Sequence, residues 1–171
     1  MQPKQYIVFK WCVYGAVTLV LCLLQRCVLS YVRLNGVTPF LYPLLAAVAA
    51  SYESRTGGPF LALGLGTLCD LVLRDFPPGF HTLIFTLAAL GAALIAEFLL
   101  SPGLPCSLAA GALAFGLLDL GRLAVFLQRG QGAALGALLE VALWEFGLTL
   151  PLLPLVQGIY KKLHRRLSED Y

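Results

Sequence analysis

The stretch Phe80-His81-Thr82-Leu83-Ile84-Phe85-Thr86-Leu87-Ala88-Ala89-Leu90-Gly91-Ala92-Ala93-Leu94-Ile95-Ala96-Glu97-Phe98-Leu99-Leu100 contains one carboxylate and no Lys or Arg. A helix needs about 20 predominantly apolar residues to cross a bilayer, and this run has that length. It lies between two groups of helix breakers, Pro77-Pro78-Gly79 and Ser101-Pro102-Gly103-Leu104-Pro105, which fix its ends. It reads as a transmembrane helix, and the rest of the chain has the same character. Of 171 residues, 59% are hydrophobic and 12% charged, and the mean hydropathy is +0.83. Soluble domains carry about 25% charged residues, so an ordinary soluble enzyme is excluded. Six spans would take about 120 residues, and the remainder is too short for a soluble domain of about 100 residues. The expected fold is all-α: a single integral membrane domain over residues 1–171, a polytopic bundle of about six transmembrane helices.

Charges mark the boundaries, because each is costly at mid-membrane. The first span is read at residues 6–32. Lys4 and Lys10 precede an uncharged run from Trp11, but no small-residue cleavage site follows, so the segment reads as a retained span with Tyr6, Phe9 and Trp11 as interfacial aromatics. The second, residues 36–52, carries Pro39 and Pro43 and is expected to be bent or re-entrant. The third covers residues 59–73 and the fourth 80–100. The fifth covers 106–127, and the sixth, 133–160, is interrupted by Pro151 and Pro154. A basic tail, 161–171, closes the chain. With both ends inside, Lys4, Lys10, Arg55, Lys161, Lys162, Arg165 and Arg166 face the cytoplasm against Arg26, Arg33, Arg74, Arg122 and Arg129 outside. The excess of inner cations favours that orientation.

The net charge of +3 is too scattered for a nucleic-acid partner; lipid headgroups are the partners these cations meet. Five cysteines include no C-x-x-C pair and read as packing thiols. No metal-ligand spacing, P-loop, G-x-S-x-G or H-E-x-x-H motif occurs, so no metal, cofactor or catalytic set is expected. Small residues recur at four-residue spacing, as in Ala62/Gly66, Ala88/Ala92/Ala96, Ala112/Gly116 and Gly132/Gly136, which suggests closely packed helices.

Asp70, Glu97, Asp119, Glu140 and Glu145 lie within apolar runs and need partners there. Asp119 and Arg122 are three apart and can pair on one helix face; Asp70 is four from Arg74. Two readings follow: local pairing of each carboxylate, or a proton or cation site shared by Asp70 and Asp119. Gly64, Gly66 and Gly116, each near one of these Asp residues, are candidate packing positions, and the likeness of Gly66-x-x-x-Asp70 to Gly116-x-x-Asp119 hints weakly at an internal repeat. His81 is expected at the interface, hydrogen-bonded.

Pro39-Phe40-Leu41-Tyr42-Pro43 leads into Tyr52-Glu53-Ser54-Arg55-Thr56-Gly57-Gly58-Pro59-Phe60. Then come Gly64-x-Gly66-x-x-x-Asp70-Leu71, Pro77-Pro78-Gly79-Phe80-His81-Thr82-Leu83, Gly116-Leu117-Leu118-Asp119 and Pro151-x-x-Pro154 before the basic tail. That order resembles the family of the rod shape-determining protein MreD. There a polar turn precedes a glycine-rich span ending in a Gly-Leu-Leu-x-Asp-Leu-like string and a Pro-Leu-Gly-like turn; here the turn is Pro-Pro-Gly-Phe. The resemblance implies a non-enzymatic inner-membrane subunit of the bacterial cell-elongation machinery. Its partners would be the periplasmic coiled-coil protein MreC and, through it, the wall-synthesis polymerase and transpeptidase. Under this resemblance Glu53, Arg55, Lys161, Lys162, Arg165 and Arg166 are candidate cytoplasmic contacts, and the Arg74-Asp75 and Arg129 loops are periplasmic. The competing expectation is a small-solute-binding membrane subunit of an energy-coupling-factor transporter, with a polar pocket around Asp70, Asp119 and Glu140. An integral-membrane enzyme of lipid metabolism would need a carboxylate or His cluster at one interface.

Overall fold

The structure, a computed structural model of the chain, describes residues 3–53, 57–73, 75–130 and 135–169. It is an all-α bundle: α1 (Pro3–Cys27), α2 (Tyr42–Tyr52), α3 (Gly57–Val72), α4 (Phe80–Leu94), α5 (Leu104–Gln128), α6 (Leu135–Thr149) and α7 (Leu153–Glu169). Four helical runs among the described residues are long and apolar enough to cross a membrane: Ile7–Tyr31, Phe80–Leu99, Leu104–Gln128 and Gly136–Leu167. The last joins α6 to α7 through a 3-10 turn at Leu150–Leu152, where Pro151 interrupts the α-helical hydrogen bonding. The basic segment 161–169 is therefore the end of α7 rather than a separate tail.

The centre of the bundle is α2. Every residue from Tyr42 to Tyr52 is buried, with α3, α4, α5 and α7 packed around it. It is apolar on all sides and rich in alanine, as a helix enclosed by other helices must be. Eleven residues rise only about 16 Å, half of a hydrocarbon core about 30 Å thick. Residues 38–41 precede α2 as irregular backbone, with Leu41 at φ −77° and ψ −25° as its N-cap. The expected second span is thus a short helix preceded by irregular backbone.

Glycines set the closest approaches to this centre. A Cβ on Gly58 would stand 2.5 Å from the Cα of Ala50 in α2, and one on Gly66 would overlap the backbone of Thr82 in α4 and come within 2.8 Å of the His81 carbonyl. Ala62 and Gly66 are both buried on this seam, as are Ala88 and Ala92 on α4. By contrast Gly64 and Gly116 are exposed and a Cβ on either would meet nothing, as would one on Gly136; Gly132 lies outside the described residues.

The two ends of the chain lean on the bundle with less contact. α1 buries Tyr14, Thr18, Leu21 and Gln25, a stripe at spacings of four, three and four that forms one helix face. The Tyr14 ring stacks on that of Tyr160 at 6.0 Å. The Thr18 hydroxyl donates to the Tyr14 carbonyl, so the Tyr160 hydroxyl, 2.8 Å away, donates to it. α6 buries no described residue before Thr149.

A Gly66→Val change is expected to force α3 off α4 and lower stability by about 1–3 kcal/mol, read as a drop in melting temperature of the detergent-purified protein. Gly64→Ala on the exposed face should leave the melting temperature unchanged.

Candidate functional site

Backbone that leaves the helix inside a membrane must be bonded within the protein, since hydrocarbon offers no partner. Residues 38–41 meet this requirement through two side chains. The Gln25 amide donates from Nε2 to the Pro39 carbonyl at 2.7 Å and accepts from the Leu41 N–H at Oε1, 3.1 Å. It thereby bonds the irregular segment on both sides of Phe40. On the other side the Phe40 N–H donates to Thr149 Oγ1 at 3.0 Å, while that hydroxyl donates to the Glu145 carbonyl at 2.6 Å.

Thr149 connects this segment to the charged residues of α5 and α6. Arg122 forks onto both oxygens of the Glu145 carboxylate and reaches Asp119 Oδ1 at 3.5 Å. Its guanidinium carbon also lies 5.4 Å from the centre of the Phe40 ring, within cation–π range. The side chains of Arg122 and Glu145 are 13% and 12% exposed, that of Asp119 23%, so desolvation makes their pairing obligatory. Asp119 thus pairs with Arg122 as its spacing predicts, but Glu145, 23 residues further along, is the guanidinium's closer partner.

Asp70 does a different job. Its Oδ1 accepts from the His81 N–H and Nδ1, both at 2.9 Å, and its Oδ2 accepts from the Thr82 N–H at 3.0 Å and the Thr82 hydroxyl at 2.6 Å. The Phe80 and Leu83 N–H groups bond to the Pro77 and Gly79 carbonyls. The open N–H groups at the start of α4 are thus satisfied, although its own N-cap, Gly79 at φ 85°, has no side chain to do it. Gly66 and Asp70 form one device on α3: the glycine lets α4 approach, and the carboxylate one turn later caps it. Arg74, the sequence-predicted partner of Asp70, lies outside the described residues. His81 is hydrogen-bonded as expected and buried, 2% exposed, among Phe76, Phe80 and Phe85 at the start of α4.

At the opposite end Glu53, its side chain 4% exposed, bonds Lys10 at 2.8 Å and His164 Nδ1 at 3.3 Å. This places the start of α1, the end of α2 and the end of α7 on one end of the bundle. Glu53 is therefore engaged inside the protein, while Lys161, Lys162, Arg165 and Arg166 are exposed; Arg55 lies outside the described residues. Glu97 is exposed in the π-helical turn that ends α4, and Glu140 is exposed on α6.

The hollows of the molecule are on its outside. One of about 340 Å³ between α5 and α6 is lined by Phe115, Leu123, Leu138, Ala142 and Phe146 with Asp119 on its wall. Others follow the seam between α1 and α3. Asp70, Asp119 and Glu140 line no common cavity among those described, and no group of three or more described His, Cys, Asp and Glu side chains could hold a metal ion. No protein-family model, curated protein or solved structure matches the chain.

Sequence reasoning did not single out Gln25 or Thr149. The usable signal was a polar amide in the buried stripe of α1 and a hydroxyl just before Pro151, both far in sequence from the prolines they serve. Gln25→Leu should orphan the Pro39 carbonyl and the Leu41 N–H and cost about 1–3 kcal/mol for each exposed deficit. Arg122→Met alone should destabilise by about 3–5 kcal/mol, and adding Glu145→Met should recover part of the loss. Both are read from melting in detergent.

Proposed function

We propose that this chain is a non-enzymatic inner-membrane subunit that organises other membrane proteins, as the MreD family does for the bacterial cell-elongation machinery. Its direct partner in this reading is an MreC-like periplasmic coiled-coil protein, and through it the wall-synthesis polymerase and transpeptidase. One observation carries the reading. Asp70, Glu145, Arg122 and Glu53, the charges most enclosed by the bundle, are taken up in bonds that hold helices to one another. The concave surfaces left over are apolar, open to the outside and bounded by the lightly packed α1 and α6. That division suits a protein whose product is an assembly.

A solute carrier asks instead for polar groups converging on an enclosed pocket. Asp70 has both oxygens bonded to α4 and Glu140 faces outward, which weighs against that use of them. The order of motifs quoted above adds the resemblance to MreD. The Lys10–Glu53–His164 end is assigned to the cytoplasm by its basic α7.

Affinity purification of the tagged chain from membranes in mild detergent is expected to bring down an MreC-like coiled-coil protein in stoichiometric amount. Recovery of paired ATPases with a membrane coupling subunit, or of a retained small molecule, would overturn the proposal. For the orientation, a cysteine at position 166 in a variant lacking Cys12 and Cys27 should react with a membrane-impermeant maleimide only after the cells are permeabilised. Labelling of intact cells would reverse the topology.

A further inference from the structure

A continuous trough runs down the outside of the bundle between α1 and α3. Its upper part, about 280 Å³, is lined by Arg26, Tyr42, Cys69 and Val72, and its lower part, about 380 Å³, by Trp11, Gly15, Phe60 and Gly64; the two share Leu19, Cys22, Leu65 and Leu68. Gly15 and Gly64 face open space in the lower part, where a Cβ on either would meet no other atom within 4 Å.

Two groups at the upper end break the apolar lining. Arg26 is exposed and forms no ion pair among the described residues. Tyr42 is 5% exposed, and its hydroxyl makes no hydrogen bond among the described residues. A guanidinium at the mouth and a phenol on the wall beside it both call for an oxygen acceptor once an occupant covers them, because burying an unmatched donor costs free energy. From Arg26 down to Gly15 is about 16 Å of helix, half the thickness of a hydrocarbon core of about 30 Å. A molecule held at Arg26 by its polar end would therefore reach the bilayer centre at the level of Gly15.

We infer that the α1/α3 trough is a binding site for one anionic phospholipid, with its phosphate on Arg26 and an acyl chain along Leu19, Cys22, Leu65 and Leu68. The Tyr42 hydroxyl donates to a phosphate or ester oxygen. A hydrophobic helix from another protein would leave that phenol unmatched, because its own backbone groups are bonded internally. The preference for a net negative headgroup follows from Arg26, the cation that lines the trough, whose charge a zwitterionic headgroup's own cation would oppose. The site does not depend on the scaffold role proposed above.

The test uses the full chain purified in dodecyl maltoside, titrated with dioleoylphosphatidylglycerol or dioleoylphosphatidylcholine and followed by native mass spectrometry. Phosphatidylglycerol is expected to bind several-fold more tightly. Arg26→Gln should weaken it about fivefold and remove the difference between the two lipids. Gly64→Phe, which puts a ring into the trough where nothing stands, should weaken both lipids. Tyr42→Phe should weaken phosphatidylglycerol severalfold, and Arg129→Gln, a cation at the same end but outside the trough, should change neither. Melting temperatures without added lipid show that each variant is folded. The proposal is overturned if the two lipids bind alike, if Arg129→Gln weakens binding as much as Arg26→Gln, or if folded Arg26→Gln and Gly64→Phe bind as the parent does. The last result would reserve the trough for a protein helix.

Discussion

Irregular backbone at the depth of a membrane is tolerated only when protein surrounds and bonds it, and residues 38–41 set that condition for the whole molecule. Their partners, Gln25 on α1 and Thr149 at the end of α6, come from the two ends of the chain. Both α1 and α6 must therefore be in place before the centre is satisfied. The other interactions follow from this. Thr149 is held by the Glu145 carbonyl, Glu145 by Arg122, and Arg122 lies over Phe40, the residue whose N–H Thr149 accepts. The loop of contacts closes on the unwound segment where it begins.

Burial and charge divide the molecule in a consistent way. Small residues collect on α2 and on α3, where Gly58 lets the backbone of α3 meet α2 and Gly66 lets it meet α4. In lipid, close packing of this kind drives helix association, because the solvent is as apolar as the side chains. Charged groups act where packing cannot: Asp70 supplies the acceptors that the start of α4 lacks, and Glu53 gathers Lys10 and His164 where three helices end together. Asp70 and Asp119 are bonded in separate places, Asp70 to the start of α4 and Asp119 to Arg122, while Glu140 is exposed on α6. Two similar strings, Gly66-x-x-x-Asp70 and Gly116-x-x-Asp119, also part ways here. The first packs and caps, whereas Gly116 faces open space and Asp119 shares a guanidinium with Glu145.

The outer surface carries the consequence. α1 and α6 rest on the bundle by narrow seams and leave troughs beside α3 and α5. Such surfaces suit neighbours in the membrane, whether lipid or protein. The trough beneath Arg26 and the hollow between α5 and α6 are both mainly apolar, each with one charged side chain on its wall, Arg26 in the first and Asp119 in the second.

The all-α membrane class, the long spans near residues 80–100 and 106–127, and the breaks at Pro77-Pro78 and Pro151 could be read directly from composition and breaker residues, because crossing a bilayer is a local requirement on length and polarity. The Asp119–Arg122 pair was legible for the same reason, its three-residue spacing being a local property of a helix. Only the tertiary structure decided that residues 38–41 enter α2 as irregular backbone, that Gln25 and Thr149 bond it, that Asp70 caps α4 and that Gly66 rather than Gly64 or Gly116 marks a close approach. Each of these depends on which helix faces meet. In an apolar chain with little amphipathic contrast, many pairs of faces are nearly equivalent until the polar groups between them are matched.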